Sequence, residues 1–247
     1  MTISQETLVA ADADALATHG FVVVPGPWAA DALAGLRAAY DGACAHAAPD
    51  DVRVGRTSTR VTDFVNRGPA FDVVYTWAPV LDAAQRVIGG PCRLSALHAR
   101  TLHAGAAAQE LHVDVPRTSD AWPMLGVIVM IDAFRPDNGA TRFVPGSHRW
   151  TEPPESVLAD RIAEHPAEVL ACGPAGSVIL FDASTWHGHT ANTSSAERRS
   201  LQATFIPRGG RPATDFVARM QPATLARLTP IARSLLGLGP APDGPQA

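Results

Sequence analysis

Between residues 107 and 117 the chain reads AAQELHVDVPR, which sets His112 two positions before Asp114. In an extended strand, residues two apart share a face, so the imidazole and the carboxylate would project together with Val113 on the other side. One imidazole and one carboxylate are two of the three ligands of a two-His-one-carboxylate triad, the set that holds non-haem iron(II) with coordination positions left open. An HxD pair alone is weak, because solvated polar residues on a strand give the same pattern. The stretch FDASTWHGHTANTSSAERRSLQATFIPR at 181–208 offers two candidates for the third ligand, His187 and His189. In its last part Arg198, Ser200, Gln202 and Thr204 alternate with Arg199, Leu201, Ala203 and Phe205. The first set suits the interior of a ligand-holding barrel. An arginine there needs an anionic partner, since an unpaired buried charge is costly, and its planar fork fits a carboxylate. A metal with an arginine deeper in the same cavity suits an α-keto diacid: the keto-acid end chelates the metal and the far carboxylate meets the guanidinium.

A frame is needed to hold these groups. Residues 5–19 read as a short helix and GFVVVPG (20–26) as a strand ended by Pro and Gly. Residues 28–46 carry Leu33, Leu36, Tyr40 and Cys44 on one helical stripe. A further amphipathic helix at 79–91 is stopped by Gly89, Gly90 and Pro91. Beyond residue 92 short strand-like runs alternate with turn clusters: CRLSALHARTL, ELHVDV, LGVIVMIDAF, TRFVPGS, GSVILFD and RRSLQATFI. That spacing predicts an antiparallel sandwich or barrel. A helical insert is expected at about 153–164. Thr229 before Pro230 reads as a helix start, and the tail GPAPDGPQA as disordered. The expectation is one domain over 1–247: a helical part at about 1–91, a β core at about 92–208, and C-terminal helices with a tail at 209–247.

Composition narrows the partners. The 247-residue chain is 46% hydrophobic with a formal net charge of −4, enough for a substantial core. Its basic residues form no long run, which argues against nucleic acid or an anionic membrane as partner. No apolar run approaches a transmembrane length, and the N-terminus does not read as a secretory signal. Cys44, Cys92 and Cys172 are odd in number and widely spaced, so no disulfide framework is expected. The expectation is a soluble, cytoplasmic protein, either a monomer or a homodimer, acting on a small molecule.

Four stretches together, HGFVVVPG, QELHVD, NGATRFVPGSHR and WHGHTANTSSAERR, span residues 19–207. In this combination the chain resembles the phytanoyl-CoA dioxygenase family of Fe(II)- and 2-oxoglutarate-dependent oxygenases. The resemblance implies a mainly β fold with flanking helices around a double-stranded β-helix (jelly-roll, cupin-like) core. It implies iron(II) as cofactor, 2-oxoglutarate as co-substrate and O2 as oxidant. His112, Asp114 and His187 match the iron ligands. Arg198, eleven residues after the distal His, matches the anchor for the far carboxylate of 2-oxoglutarate, and Gln109 and Thr141 match residues that help bind the keto acid. Related halogenases carry a small residue at the position of Asp114, so a carboxylate there points away from halogenation and to hydroxylation of an aliphatic C–H or a related oxidation, with desaturation, epoxidation and ring rearrangement also open. The features QxLHxD and NGAT resemble members acting on natural products, which suggests a specialised metabolite as substrate. The chain departs from the family pattern at HAGAAA, where a Pro-Gly turn is usual, and at His189, where Gly or Ser is frequent.

Other residues have simpler expectations. His148 in PGSHR reads as structural, Asn192 as a loop pin through side-chain-to-backbone bonds, and Trp186 as either pocket lining or packing. His98 and His103 either face the cavity or are satisfied within a strand. Residues 49–70 and 115–122, polar and punctuated by Gly and Pro, are expected to border the entrance. No run of Lys or Arg marks a site for a CoA phosphate. Two rival classes share the same residues: a metal hydrolase or isomerase on a cupin-like barrel, and a non-catalytic binding barrel. Arg198 argues against the first, and the intact triad against the second.

Overall fold

Apolar and polar residues alternate along the long strands at 92–102 and 198–207, the habit of half-buried strands, whereas those at 125–130 and 177–182 are buried almost throughout in the structure, a computed structural model describing residues 7–117 and 122–239. In chain order the strands are β1 (Phe21–Pro25), β2 (Val52–Val54), β3 (Ser58–Val61), β4 (Cys92–Leu102) and β5 (Leu125–Met130). There follow β6 (Thr141–Phe143), β7 (Val169–Ala171), β8 (Ser177–Asp182), β9 (His187–His189) and β10 (Arg198–Pro207). Seven of them form one antiparallel sheet in the order β1-β8-β5-β10-β4-β3-β2, and β7-β6-β9 form a second. The two sheets make the jelly-roll, or double-stranded β-helix, core expected from the sequence.

The large sheet is covered on both faces by different materials. On its outer face Leu201, Ala203 and Phe205 of β10 join a cluster with Leu36 and Tyr40 of the helix Ala30–Ala45 and with Val80 and Ala83 of the helix Ala78–Ile88. Each fully buried Leu or Phe there contributes about 1.5–3 kcal/mol, so Leu201→Ala would cost about 2–5 kcal/mol once the cavity is counted. The inner face meets the small sheet through Phe21, Ile128, Met130, Phe143, Ile179 and Phe181. Phe21 stacks on Phe143 with ring centroids 4.3 Å apart. Gly126 has no room for a side chain because the Phe181 ring lies against it.

Several expected elements are altered. The first helix starts at Ala10 and ends at His19, capped by left-handed Gly20 whose amide donates to the Leu16 carbonyl; residues 5 and 6 lie outside the described residues. ELHVDV does not form a strand: among its residues only His112 makes a β-bridge, to His187. The helical insert at 153–164 shrinks to Pro154–Val157. After that turn the carbonyls of Arg161 and Ala163 accept from the Arg142 guanidinium, and tertiary bonds replace helical ones. Residues 49–70 hold β2 and β3 as well as loops. Thr229 caps the last helix by accepting from the Ala232 amide. The GPAPDGPQA tail beyond residue 239 lies outside the described residues, and so does the middle of segment 115–122.

Candidate active site

His112 and His187 exchange both backbone hydrogen bonds, each N–H donating to the other's carbonyl at 2.9 Å. This pairing lays the 109–114 segment along β9 at the edge of the small sheet through a single bridge. Gln109 N–H donates to the His189 carbonyl and Asp114 N–H to that of Ala183, both at 2.9 Å. The approach is tight: a Cβ at residue 188 would lie 3.0 Å from the carbonyl oxygens of Gln109 and Glu110, so glycine suits that position.

The imidazoles are oriented from behind. His112 Nδ1 lies 3.0 Å from the Glu110 carbonyl, and His187 Nδ1 lies 2.8 Å from that of Thr185. A carbonyl only accepts, so Nδ1 carries the proton in both rings and each Nε2 is left as a lone-pair donor. Nε2 of His112 lies 3.7 Å from one Asp114 carboxylate oxygen, and Nε2 of His187 lies 3.6 Å from the other. Ligand atoms of the three residues all fall within 4.8 Å of one another. Burial pushes the His187 imidazole down to about 4, with the Asp114 charge opposing, which keeps it neutral as a metal ligand must be. Phe143 and Phe181 pack against the His187 ring. Two imidazoles and one carboxylate on one side of a cavity are a donor set for iron(II) with free positions.

That cavity encloses about 280 Å³ between the sheets, and its wall includes Gln109, Thr141, His189 and Arg198 beside the three candidate ligands. Arg198 is 2% exposed. Its Nε and Nη1 have no hydrogen-bond partner, and its guanidinium rests 3.8 Å above the Phe134 ring. Burial, helped by the nearby Arg100 charge, lowers its pKa to about 9. A buried cation with free donors calls for an anion. Gln109 Oε1 lies 3.5 Å from Arg100 Nη2, and Thr141 on β6 is paired in register with His189. The sequence-predicted set His112, Asp114, His187, Arg198, Gln109 and Thr141 is thus gathered around one cavity. His189 lies on the same wall with its Nε2 unpartnered but outside the three-ligand cluster.

The remaining expectations divide. His98 faces the cavity, 3.2 Å from Gln202 Oε1, whereas His103 turns to Thr59. His148 bonds the Ala17 carbonyl and is structural. Asn192 pins its loop to the carbonyls of His103 and Ala196. Trp186 packs with Leu111, Val144 and Trp150, away from the cavity wall. From the 49–70 segment Arg60 reaches that wall. The described ends of 115–122 line a different depression with Asp182 and Ser184.

Sequence reasoning missed Arg142. This buried side chain pairs with Glu168 at 3.0 Å and donates to the carbonyls of Gln109, Arg161 and Ala163. It braces the Gln109–His112 segment from outside the sheet. Its partners come from three separate stretches, so no local pattern announces the role.

The family model described as Phytanoyl-CoA dioxygenase (PhyH) matches residues 16–200. The chain belongs to that family. Dioxygenase cdmA from Talaromyces verruculosus is 33% identical over 154 residues, 59% of this chain and 49% of that protein. Dioxygenase trt7 from Aspergillus terreus is 30% identical over 166 residues, 64% of this chain and 56% of that one. The match therefore spans about half the length of these curated relatives. Among solved structures, HygX from Streptomyces hygroscopicus with nickel, 2-oxoglutarate and hygromycin B bound superposes with a TM-score of 0.66 at 17% identity, covering 81% of this chain and 88% of HygX. EctD from S. alaskensis in its apoform gives 0.69 at 20% identity, with 86% and 83% covered. The epimerase SnoN from nogalamycin biosynthesis, in complex with Fe3+, alpha ketoglutarate and nogalamycin RO, gives 0.66 at 23%, with 87% and 90% covered. Among the described residues no helix is long and apolar enough to cross a membrane.

Proposed function

We propose that this protein is an Fe(II)- and 2-oxoglutarate-dependent dioxygenase that hydroxylates an aliphatic C–H of a small specialised metabolite in the cytoplasm, releasing succinate and CO2. The observation that carries the reading is Arg198: a buried guanidinium with free donors in the same cavity as a His-Asp-His cluster. The cavity thus has metal donors at one place and an anion receptor at another, the two ends of an α-keto diacid.

In this reading His112 and His187 donate through Nε2 and Asp114 through its carboxylate. The carbonyls of Glu110 and Thr185 hold the two rings in the metal-binding tautomer. Arg198 receives the far carboxylate of 2-oxoglutarate as a bidentate partner, and the Phe134 ring supports its guanidinium from below. Gln109 and Thr141 contact the keto acid from the facing segment. When bound, iron(II) with 2-oxoglutarate and O2 supplies the oxidising equivalent. The protein orients the co-substrate, keeps the His187 imidazole neutral and selects the molecule to be oxidised. A hydrolase or isomerase would use the same triad, but it has no need for an unpaired arginine behind the metal donors.

Anaerobic titration of the metal-stripped protein with Fe(II) and 2-oxoglutarate, followed by visible absorption, tests the reading. A weak metal-to-keto-acid charge-transfer band that is lost in Arg198→Ala is the expected result. No band, together with tight zinc binding and indifference to the keto acid, would move the protein to the hydrolase class.

A further inference from the structure

A second cavity opens beside the metal donors, and it is lined by arginines that the sequence scatters. This groove of about 620 Å³ is bounded by Arg53, Arg56, Arg60, Arg100 and Arg161, and it reaches His112. Strand register explains how they meet. Arg53 on β2 is directly opposite Arg60 on β3, and Arg60 is directly opposite Arg100 on β4. Side chains so paired lie close together on one face, and like charges there repel. Arg161 is matched by Glu110. Among the described residues Arg53, Arg56 and Arg60 meet no carboxylate. Arg100 holds only the Ser58 hydroxyl and the Gln109 amide oxygen. Its guanidinium is held down to about 10 by burial and by Arg60.

Two features make this more than a solvated basic face. The groove shares Arg60, Arg100, Gln109 and His112 with the metal cavity. It is also walled by Val54 and Ile162, apolar side chains that are 76% and 52% exposed. A cationic floor with an apolar wall fits an organic molecule bearing an anion. The charge balance points the same way: with Asp114 on the metal and the keto acid's far carboxylate on Arg198, Arg60 and Arg100 still have no counter-charge.

We propose that this groove binds the anionic end, phosphoryl or carboxylate, of the molecule to be oxidised and so aims its apolar part at the metal. The inference rests on the dioxygenase reading and names the class of its substrate.

The test is calorimetric titration of the metal-stripped full chain at low salt, with inorganic phosphate in one arm and acetate in the other. Saturable binding is expected that persists with saturating 2-oxoglutarate, is unchanged in Arg198→Ser, and weakens at least tenfold in Arg53→Ser/Arg60→Ser. The doubly conservative Arg53→Lys/Arg60→Lys should recover most of it, which excludes a mere loss of fold. Preference for phosphate or for acetate decides the anion. Binding that is equal in the serine variant, absent for both anions, or displaced by 2-oxoglutarate overturns the proposal. The charge-transfer band separates the two readings: a band without anion binding sinks the groove alone, and anion binding without a band sinks the dioxygenase reading and with it the groove's role for a molecule to be oxidised, leaving only an anion site.

Discussion

Adjacent in sequence, Arg198 and Arg199 leave β10 on opposite faces of the large sheet. Arg199 points outward and is fully matched: it donates to both Asp132 oxygens at 2.7 and 3.0 Å, and to Asp41. Hydrogen bonds to Asp132 push its pKa up, against its partial burial. Arg198 points inward, is more deeply buried, and has only an aromatic ring beneath it. A charge that serves the fold brings its own carboxylates. One that serves a ligand is left short of them, and the missing partner describes the ligand.

That contrast can be attacked from several sides. The largest effect should follow from removing a proposed metal donor: Asp114→Ala should lower Fe(II) affinity by at least about a hundredfold and abolish succinate formation, read by metal titration and product assay. A fully active variant would refute the ligand assignment. Next, Arg198→Ala should weaken 2-oxoglutarate binding by about a hundredfold, the size of about 3 kcal/mol of charge-assisted bonding. Its stability in urea should stay level or rise by ~1 kcal/mol, because an unmatched buried charge is gone. Third, the inner face should be sensitive to acid. Burial lowers His98 and His189 to about 4. The unfolded chain therefore binds protons that the folded one refuses, and stability should fall as pH drops from about 6.5 towards 4 and be flat above 7. Urea midpoints of the metal-free protein at pH 7, 6 and 5 read this; a flat profile would contradict the burial of those rings. The smallest effect belongs to Arg199→Ala, which should cost about 1 kcal/mol of stability and leave keto-acid binding intact. Equal losses of 2-oxoglutarate affinity in the two arginine variants would erase the contrast.

What could be read from the chain followed the physics of each element. β4, β5, β8 and β10 were legible because buried strands must be apolar at regular intervals. The gathering of His112, Asp114, His187 and Arg198 was legible because short motifs in one order carry it. β2 and β3 were not, being only three and four residues long, with Arg53, Ser58, Thr59 and Arg60 breaking any apolar run. The ELHVDV strand was over-read: its segment is ordered by β9 and by Arg142 rather than by its own ladder. The basic groove was invisible for a plainer reason. Cross-strand register brings together residues 53, 60 and 100, and no linear scan for basic runs can find a cluster made by pairing.

The mutual bridge between His112 and His187 has a consequence for the chain as a polymer. These two positions are far apart in sequence, yet two backbone bonds and one shared ion would tie them at a single point. A metal bound there acts as a reversible cross-link that closes a long loop, and each such closure removes conformations from the unfolded ensemble. Loading the site and folding the small sheet thus become one equilibrium. Chelation should be felt first as faster exchange of the His112 and His187 amide protons.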